Sequence, residues 1–169
     1  MSIKELFTIG VEEEFMICHP ESFDLISKAE EIMDFITEEE KDRYSYELLL
    51  GEIESNTPIC DDVNHAIGEV IKNRIRLKEI GNSLDFKIGI SGTHPTSKPE
   101  NQIFVNNEAY NWVSNQLKYY AKQNMTFSTH VHIGLDSEQT ILSILNIANA
   151  WIAPLIAISA NSPFFAGTN

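Results

Sequence analysis

Two short segments of this chain carry residue types from which a cation site can be built. In Phe7-Thr8-Ile9-Gly10-Val11-Glu12-Glu13-Glu14-Phe15-Met16-Ile17 the odd positions are apolar except Glu13. Strand side chains alternate with period two, so Glu12 and Glu14 share the opposite face. In Phe127-Ser128-Thr129-His130-Val131-His132-Ile133-Gly134-Leu135, Val131, Ile133 and Leu135 face one way while His130 and His132 face the other. A G-x-E-x-E strand and an H-x-H strand, each with an apolar back, suit a sheet that packs a core on one side and holds cations on the other. Metal binding is the chemistry these segments point to.

A third segment, Tyr46-Glu47-Leu48-Leu49-Leu50-Gly51-Glu52-Ile53-Glu54-Ser55-Asn56-Thr57-Pro58, adds more acids. Glu52 and Glu54 share a strand face. Glu47 and Glu54 are seven apart and fall on opposite faces of a regular strand, so a bulge at Gly51 is expected to restore their parity. Glu47 and Glu54 then point to the same site as Glu12 and Glu14. Close carboxylate pairs repel by roughly 4 kcal/mol at an effective dielectric near 20, which calls for cations or arginine partners. Arginine is scarce: Arg43, Arg74 and Arg76 are the only three. Oxygen ligands with an occasional imidazole suit Mg²⁺ or Mn²⁺, and a helical H-E-x-x-H zinc motif is absent. Glu13 and Glu52 read as solvated or structural acids, and His19 and His65 as surface residues. Trp112, Trp151, Phe164 and Phe165 read as core.

The elements that must position these residues alternate between strands and helices. Strands are expected over 7–18, 45–55 and 86–93 and around His130. Helices are expected over 27–37, opened by a Ser27-x-x-Glu30 capping box, and over 63–84, 106–123 and 138–159. The 63–84 helix carries an apolar face of Ile67, Val70, Ile71, Ile75, Leu77, Ile80 and Leu84. Half-polar strands argue against a buried parallel sheet. The expected fold is therefore α+β, a largely antiparallel sheet with helices on one face, in a single domain over 1–169.

Bulk properties exclude several classes. The chain has 169 residues, 43% hydrophobic, with 12 Lys plus Arg against 25 Asp plus Glu and a net charge of −13. A domain of that length can bury a real core, and the charge argues against a nucleic-acid groove or an anionic membrane surface. The opening Met1-Ser2-Ile3-Lys4-Glu5-Leu6 holds no secretory apolar run. The 141–158 stretch is broken by Asn146, Asn149 and Pro154 and does not read as a membrane span. Two cysteines without C-x-x-C spacing fit free thiols in a cytoplasmic protein.

Taken in order, Gly10-Val11-Glu12-Glu13-Glu14-Phe15, Glu47 with Glu54-x-x-Thr57-Pro58, Gly92-Thr93-His94-Pro95, His130-Val131-His132-Ile133-Gly134 and Ser159-Ala160-Asn161-Ser162-Pro163-Phe164 resemble glutamate–cysteine ligase family 2, the carboxylate–amine ligases. The resemblance covers nearly the whole chain but only the N-terminal half of the family's usual length. It implies a glutamine synthetase-like fold, left incomplete here, and a place in glutathione biosynthesis. The implied chemistry is ATP-dependent activation of glutamate as an acyl phosphate, attacked by an amine such as that of cysteine, without an enzyme nucleophile. Carried over by position, Glu12, Glu14, Glu47, Glu54 and His130 are implied metal ligands around the phosphates of ATP with Mg²⁺ or Mn²⁺. His132 is implied as a nucleotide contact, and Thr93 and His94 as substrate contacts. The family's second half supplies a further glutamate and the arginines, and the 106–123 helix lacks one expected there. A fragment or split-gene product that is not a competent ligase alone is expected, as is self-association or a second polypeptide. Two other readings stand beside it: a non-catalytic metal- or nucleotide-binding half, and a metal-dependent hydrolase.

Overall fold

The computed structural model describes residues 7–168; Met1–Leu6, the segment read above for a secretion signal, and Asn169 lie outside the described residues. The longest strand, β1 (Ile9–Cys18), is the hub of a five-stranded sheet whose named pairs are all antiparallel. On one flank it pairs with β3 (Glu52–Asn56), and β3 pairs in turn with β2 (Tyr44–Tyr46). On the other flank, β4 (Lys87–Gly89) takes the Met16–Cys18 end and β5 (Thr129–Ile133) takes the Ile9–Glu13 end. The fold is the α+β antiparallel sheet with helices that the half-polar strands foretell.

Two helices cover the apolar back of the sheet. Phe15, Ile17 and Ile53 pack against Ala29 and Ile32 of α1 (Ala29–Phe35) and Leu77 and Ile80 of α2 (Val63–Leu84). Asp62 caps α2 by accepting from the His65 amide at 3.0 Å, satisfying one of the first-turn donors that lack a helical partner. The front face is not bare: Met16 and Cys18 pack with Leu48, Leu49, Met125 and Phe127 in a second, smaller core. Apolar packing therefore extends beyond the face that α1 and α2 cover. The acids of β1, Glu12 and Glu14, lie on this front face toward the strand's N-terminal half.

Several sequence boundaries shift for identifiable reasons. The 45–55 strand is two strands, because the chain reverses between Tyr46 and Glu52. The 27–37 helix starts at Ala29 without a side-chain cap, and the capping arrangement sits further on, where the Glu40 carboxylate accepts from the Thr37 amide at 3.1 Å and hydroxyl at 3.0 Å. The 106–123 helix breaks into α3 (Glu108–Leu117) and α4 (Tyr119–Gln123) at Lys118, whose φ of 48° a helix cannot contain. The 138–159 helix is α5 (Glu138–Ala148), a turn of 3₁₀ helix and α6 (Ile152–Ser159). That stretch is long and apolar enough to cross a membrane by length and composition, and none of it is buried. Trp112, Trp151 and Phe164 are exposed rather than core, while Phe165 packs against the smaller cluster.

Candidate metal centre

The sheet register assembles the acids. Glu14 lies opposite Glu54 across β1 and β3, and Glu12 lies opposite His130 across β1 and β5. Glu47 arrives by a different route from the one its spacing implies. It stands in the connection from β2 to β3, so a chain reversal and not a bulge at Gly51 brings it beside Glu54. The result is two triads: Glu12, Glu54 and His130, and Glu14, Glu47 and Glu54, each with candidate ligand atoms within 4.8 Å of one another. Glu54 belongs to both.

Neighbouring dipoles hold each group in place. Glu54 Oε1 accepts from the Ser45 hydroxyl at 2.7 Å and the Asn56 amide at 3.1 Å. The Ser128 backbone amide donates to Glu14 Oε2 at 2.6 Å, and the Leu48 amide to Glu47 Oε2 at 3.1 Å. His130 Nδ1 stands 3.2 Å from Glu12 Oε2 and 4.0 Å from Glu14 Oε1, and His132 Nε2 stands 3.1 Å from Glu12 Oε2. Glu12 is thus flanked by both imidazoles of the H-x-H strand.

Burial and mutual repulsion act on the titration of these acids. Burial, and then the charges of Glu14 and Glu54, push the Glu47 carboxyl up to about 7. Glu52, read above as a solvated or structural acid, is only 3% exposed and lies opposite Met16, on the same strand face as Glu54. Burial first, and then Glu14, Glu47 and Glu54, push its carboxyl up to about 9. The Glu52-Ile53-Glu54 alternation already placed the two on one face; what it lacked was depth. Tyr110 of α3 walls the cluster, its hydroxyl donating to the Tyr46 carbonyl at 2.8 Å, and burial followed by the same acids pushes it up to about 12.

The arginines do not neutralise this cluster. Arg74 grips the buried Glu13 through two nitrogens, with Nε at 2.9 Å. Arg43 reaches Glu69 at 2.7 Å, and Arg76 reaches Glu40 at 2.6 Å. All three partners lie away from the triads, so Glu13 is structural rather than solvated. Carboxylates crowded together with an imidazole and no guanidinium fit a hard divalent cation of the Mg²⁺ or Mn²⁺ type.

The remaining expected residues, Thr93 and His94, lie in the loop after β4. His94 is buried, with Nε2 2.8 Å from the Phe23 carbonyl and Nδ1 accepting from the Thr96 and Ser97 amides. Both ring nitrogens are engaged by backbone groups, so the ring is fixed in its loop. The Thr93 hydroxyl donates to the Phe164 carbonyl at 2.7 Å, and its amide donates to Ser162 Oγ at 3.1 Å. Thr93 thereby clasps its loop to the chain after α6. A Cβ at Gly92 would come 2.6 Å from Ser162 Oγ, so this clasp needs glycine there.

Residues 8–169 match glutamate–cysteine ligase family 2. A protein of Herpetosiphon aurantiacus named "Putative glutamate--cysteine ligase 2" is 32% identical over 161 residues, covering 95% of this chain and 42% of that protein. A Solibacter usitatus protein of the same name is 29% identical over 170 residues, covering 98% of this chain and 43% of its own length. The chain thus spans less than half the length of these curated relatives. A bifunctional glutathione synthetase from Pasteurella multocida shares the fold, with TM-score 0.60 at 13% identity, over 88% of this chain and 20% of that one.

Proposed function

The chain belongs to glutamate–cysteine ligase family 2, and from that premise we propose that it carries the metal–nucleotide half of an ATP-dependent carboxylate–amine ligase. The observation that carries the reading is Glu54, shared by two ligand triads on an acid face without arginine. Glu12, Glu54 and His130 would hold one cation and Glu14, Glu47 and Glu54 another. Cations so held neutralise nucleotide phosphates and stabilise charge on a transferred phosphoryl group. His132 would orient the Glu12 carboxylate, its Nε2 standing 3.1 Å from the same Oε2 that His130 approaches. In the proposed reaction an oxygen of the glutamate side-chain carboxylate attacks the γ-phosphorus of ATP and ADP leaves. The amine of cysteine then attacks the acyl carbon of the phosphate and inorganic phosphate departs. Each bond is made between substrates, so the protein needs no nucleophile and its task is placement and charge.

The same face lacks fixed positive side chains for a substrate carboxylate, among the described residues. The reading therefore assigns those contacts to the part of the family's length that this chain does not span. Calorimetry tests it: a non-hydrolysable ATP analogue should bind only with Mn²⁺ or Mg²⁺ present, and at least tenfold more weakly in Glu12→Gln. Nucleotide binding indifferent to metal would remove the basis of the proposal. ADP release that requires both glutamate and an amine, once the remaining half is supplied, separates a ligase from a hydrolase.

A further inference from the structure

Two apolar strips lie side by side, uncovered by any described residue, on the helix side of the sheet. On α2, Val63, Ile67, Ile71 and Ile75 recur every fourth residue and form a single ridge. All four are more than half exposed, although a helix stripe of this kind is normally buried. On β5, Val131 and Ile133 are also exposed, at 61% and 48%, and line a groove on the face opposite His130 and His132. This groove, of ≈ 460 Å³, runs between the strips, floored by Ile9 and Val11 of β1. A second groove, of ≈ 470 Å³, continues along α2 past Ile75 toward Ile88 of β4, and Arg74 borders both.

The strand beside this ridge is unfinished as well. Among the described residues β5 pairs only with β1, so its other edge presents free backbone groups. An open edge asks for a strand, and an adjacent apolar ridge asks for a helix. We propose that this flank docks a strand–helix unit from the part of the family's length that this chain does not span. The strand pairs antiparallel or parallel with β5, and the helix lies along the Val63–Ile75 ridge. The inference rests on reading the chain as one half of a larger catalytic unit.

Length and chemistry select this occupant. The relatives match 95% or more of this chain and are more than twice as long, so in them a further polypeptide of at least this size accompanies the matched region. A lipid surface would leave the β5 edge unsatisfied, because open sheet edges are not tolerated in hydrocarbon. A second copy would bring together two molecules of charge −13. The helices that follow β5, α5 and α6, are apolar and hold no buried residue, which fits the same missing cover.

Thiol labelling tests the proposal, because Cys18 and Cys60 are both buried. Ile71→Cys and Val131→Cys would be placed in this chain alone, and in a fusion of this chain to the C-terminal remainder of the Herpetosiphon aurantiacus relative. Maleimide labelling at both sites should slow at least tenfold in the fusion, with Glu21→Cys on an exposed loop unchanged. Equal rates in the two proteins overturn the proposal. Protection in the isolated chain that disappears on dilution assigns the flank to a second copy and also overturns it. Protection of the isolated chain by phosphatidylcholine vesicles moves it to a membrane, with the same consequence. Hydrogen exchange at Thr129–Ile133 repeats the comparison without substitutions: tenfold slower exchange in the fusion is expected, and no slowing overturns the docking site. A failure of the ligase reading would appear instead as absent nucleotide binding, with these rates still slowed.

Discussion

Glu54 is the residue on which the acid face turns, since both triads use it and Ser45 and Asn56 hold its position. Glu54→Gln should weaken Mn²⁺ binding about a hundredfold by calorimetry, equivalent to ~2.8 kcal/mol at 1.4 kcal/mol per factor of ten. Glu38→Gln, on an exposed turn, should leave it unchanged. The raised carboxyls of Glu47 and Glu52 give a second expectation. Below the ordinary carboxyl value of 4.5 both are protonated in the folded and unfolded states. As pH rises from there toward 9, the unfolded chain sheds their protons first, so stability falls. The cation-free protein should therefore melt at a lower temperature at pH 8 than at pH 5, and Glu52→Gln should flatten most of that slope. Added Mn²⁺ should restore stability chiefly at the alkaline end, where the carboxylates are ionised. At this scale the sequence was informative wherever alternation alone decides the face. Glu12, Glu14, His130 and His132 were legible in that way. Glu47 was legible only by supposing a bulge at Gly51 to repair its parity, and a chain reversal brings it there instead. The depth of Glu52 was not legible, since alternation gives a face and not what covers it.

Among the elements, α2 shows how pattern and packing diverge. Its apolar arc is broad, and the described sheet covers only one edge of it, along Ala66, Asn73, Leu77 and Ile80. Within that covered edge, polar groups earn their places through partners. Asn73 accepts from Arg43 at 3.1 Å and donates to the Asn56 carbonyl at 3.0 Å. Arg74 meets Glu13 under the sheet. Arg74→Ala would strand a buried carboxylate and should cost about 3 kcal/mol in urea unfolding. Glu13→Gln combined with Arg74→Met should recover most of that loss. The end of α2 offers the opposite sign. Asp85 sits in the left-handed region at φ 56°, with its amide donating to Gly81. Asp85→Gly removes the Cβ that opposes this conformation and should stabilise the protein by about 1 kcal/mol. The long helix and the strands β1 and β5 were legible from periodicity. The hairpin inside 45–55 was not, because Leu48-Leu49-Leu50 continues the apolar pattern of a strand across the reversal. The break at Lys118 left no glycine or proline to announce it.

For the whole molecule, the isolated chain should show no glutamate-dependent ADP release, and addition of the C-terminal remainder of a relative should be required for any. A coupled assay of ADP with each part alone and with both together checks this. The antiparallel architecture could be argued from the half-polar strands, but the neighbour relations could not, because sequence order does not tell which strand flanks which. One of those relations has a consequence for how the protein is made. The strand at the centre of the sheet precedes all of its partners in the chain, and they follow at increasing distances: Glu14 meets Glu54, Ile17 meets Ile88, and Glu12 meets His130. Pairings so far apart close slowly, since long loops must form before any contact rewards them. During translation the Ile9–Cys18 segment must wait on the ribosome with one side unmatched until the histidine segment emerges, a window in which a chaperone, or another nascent chain, can reach it first.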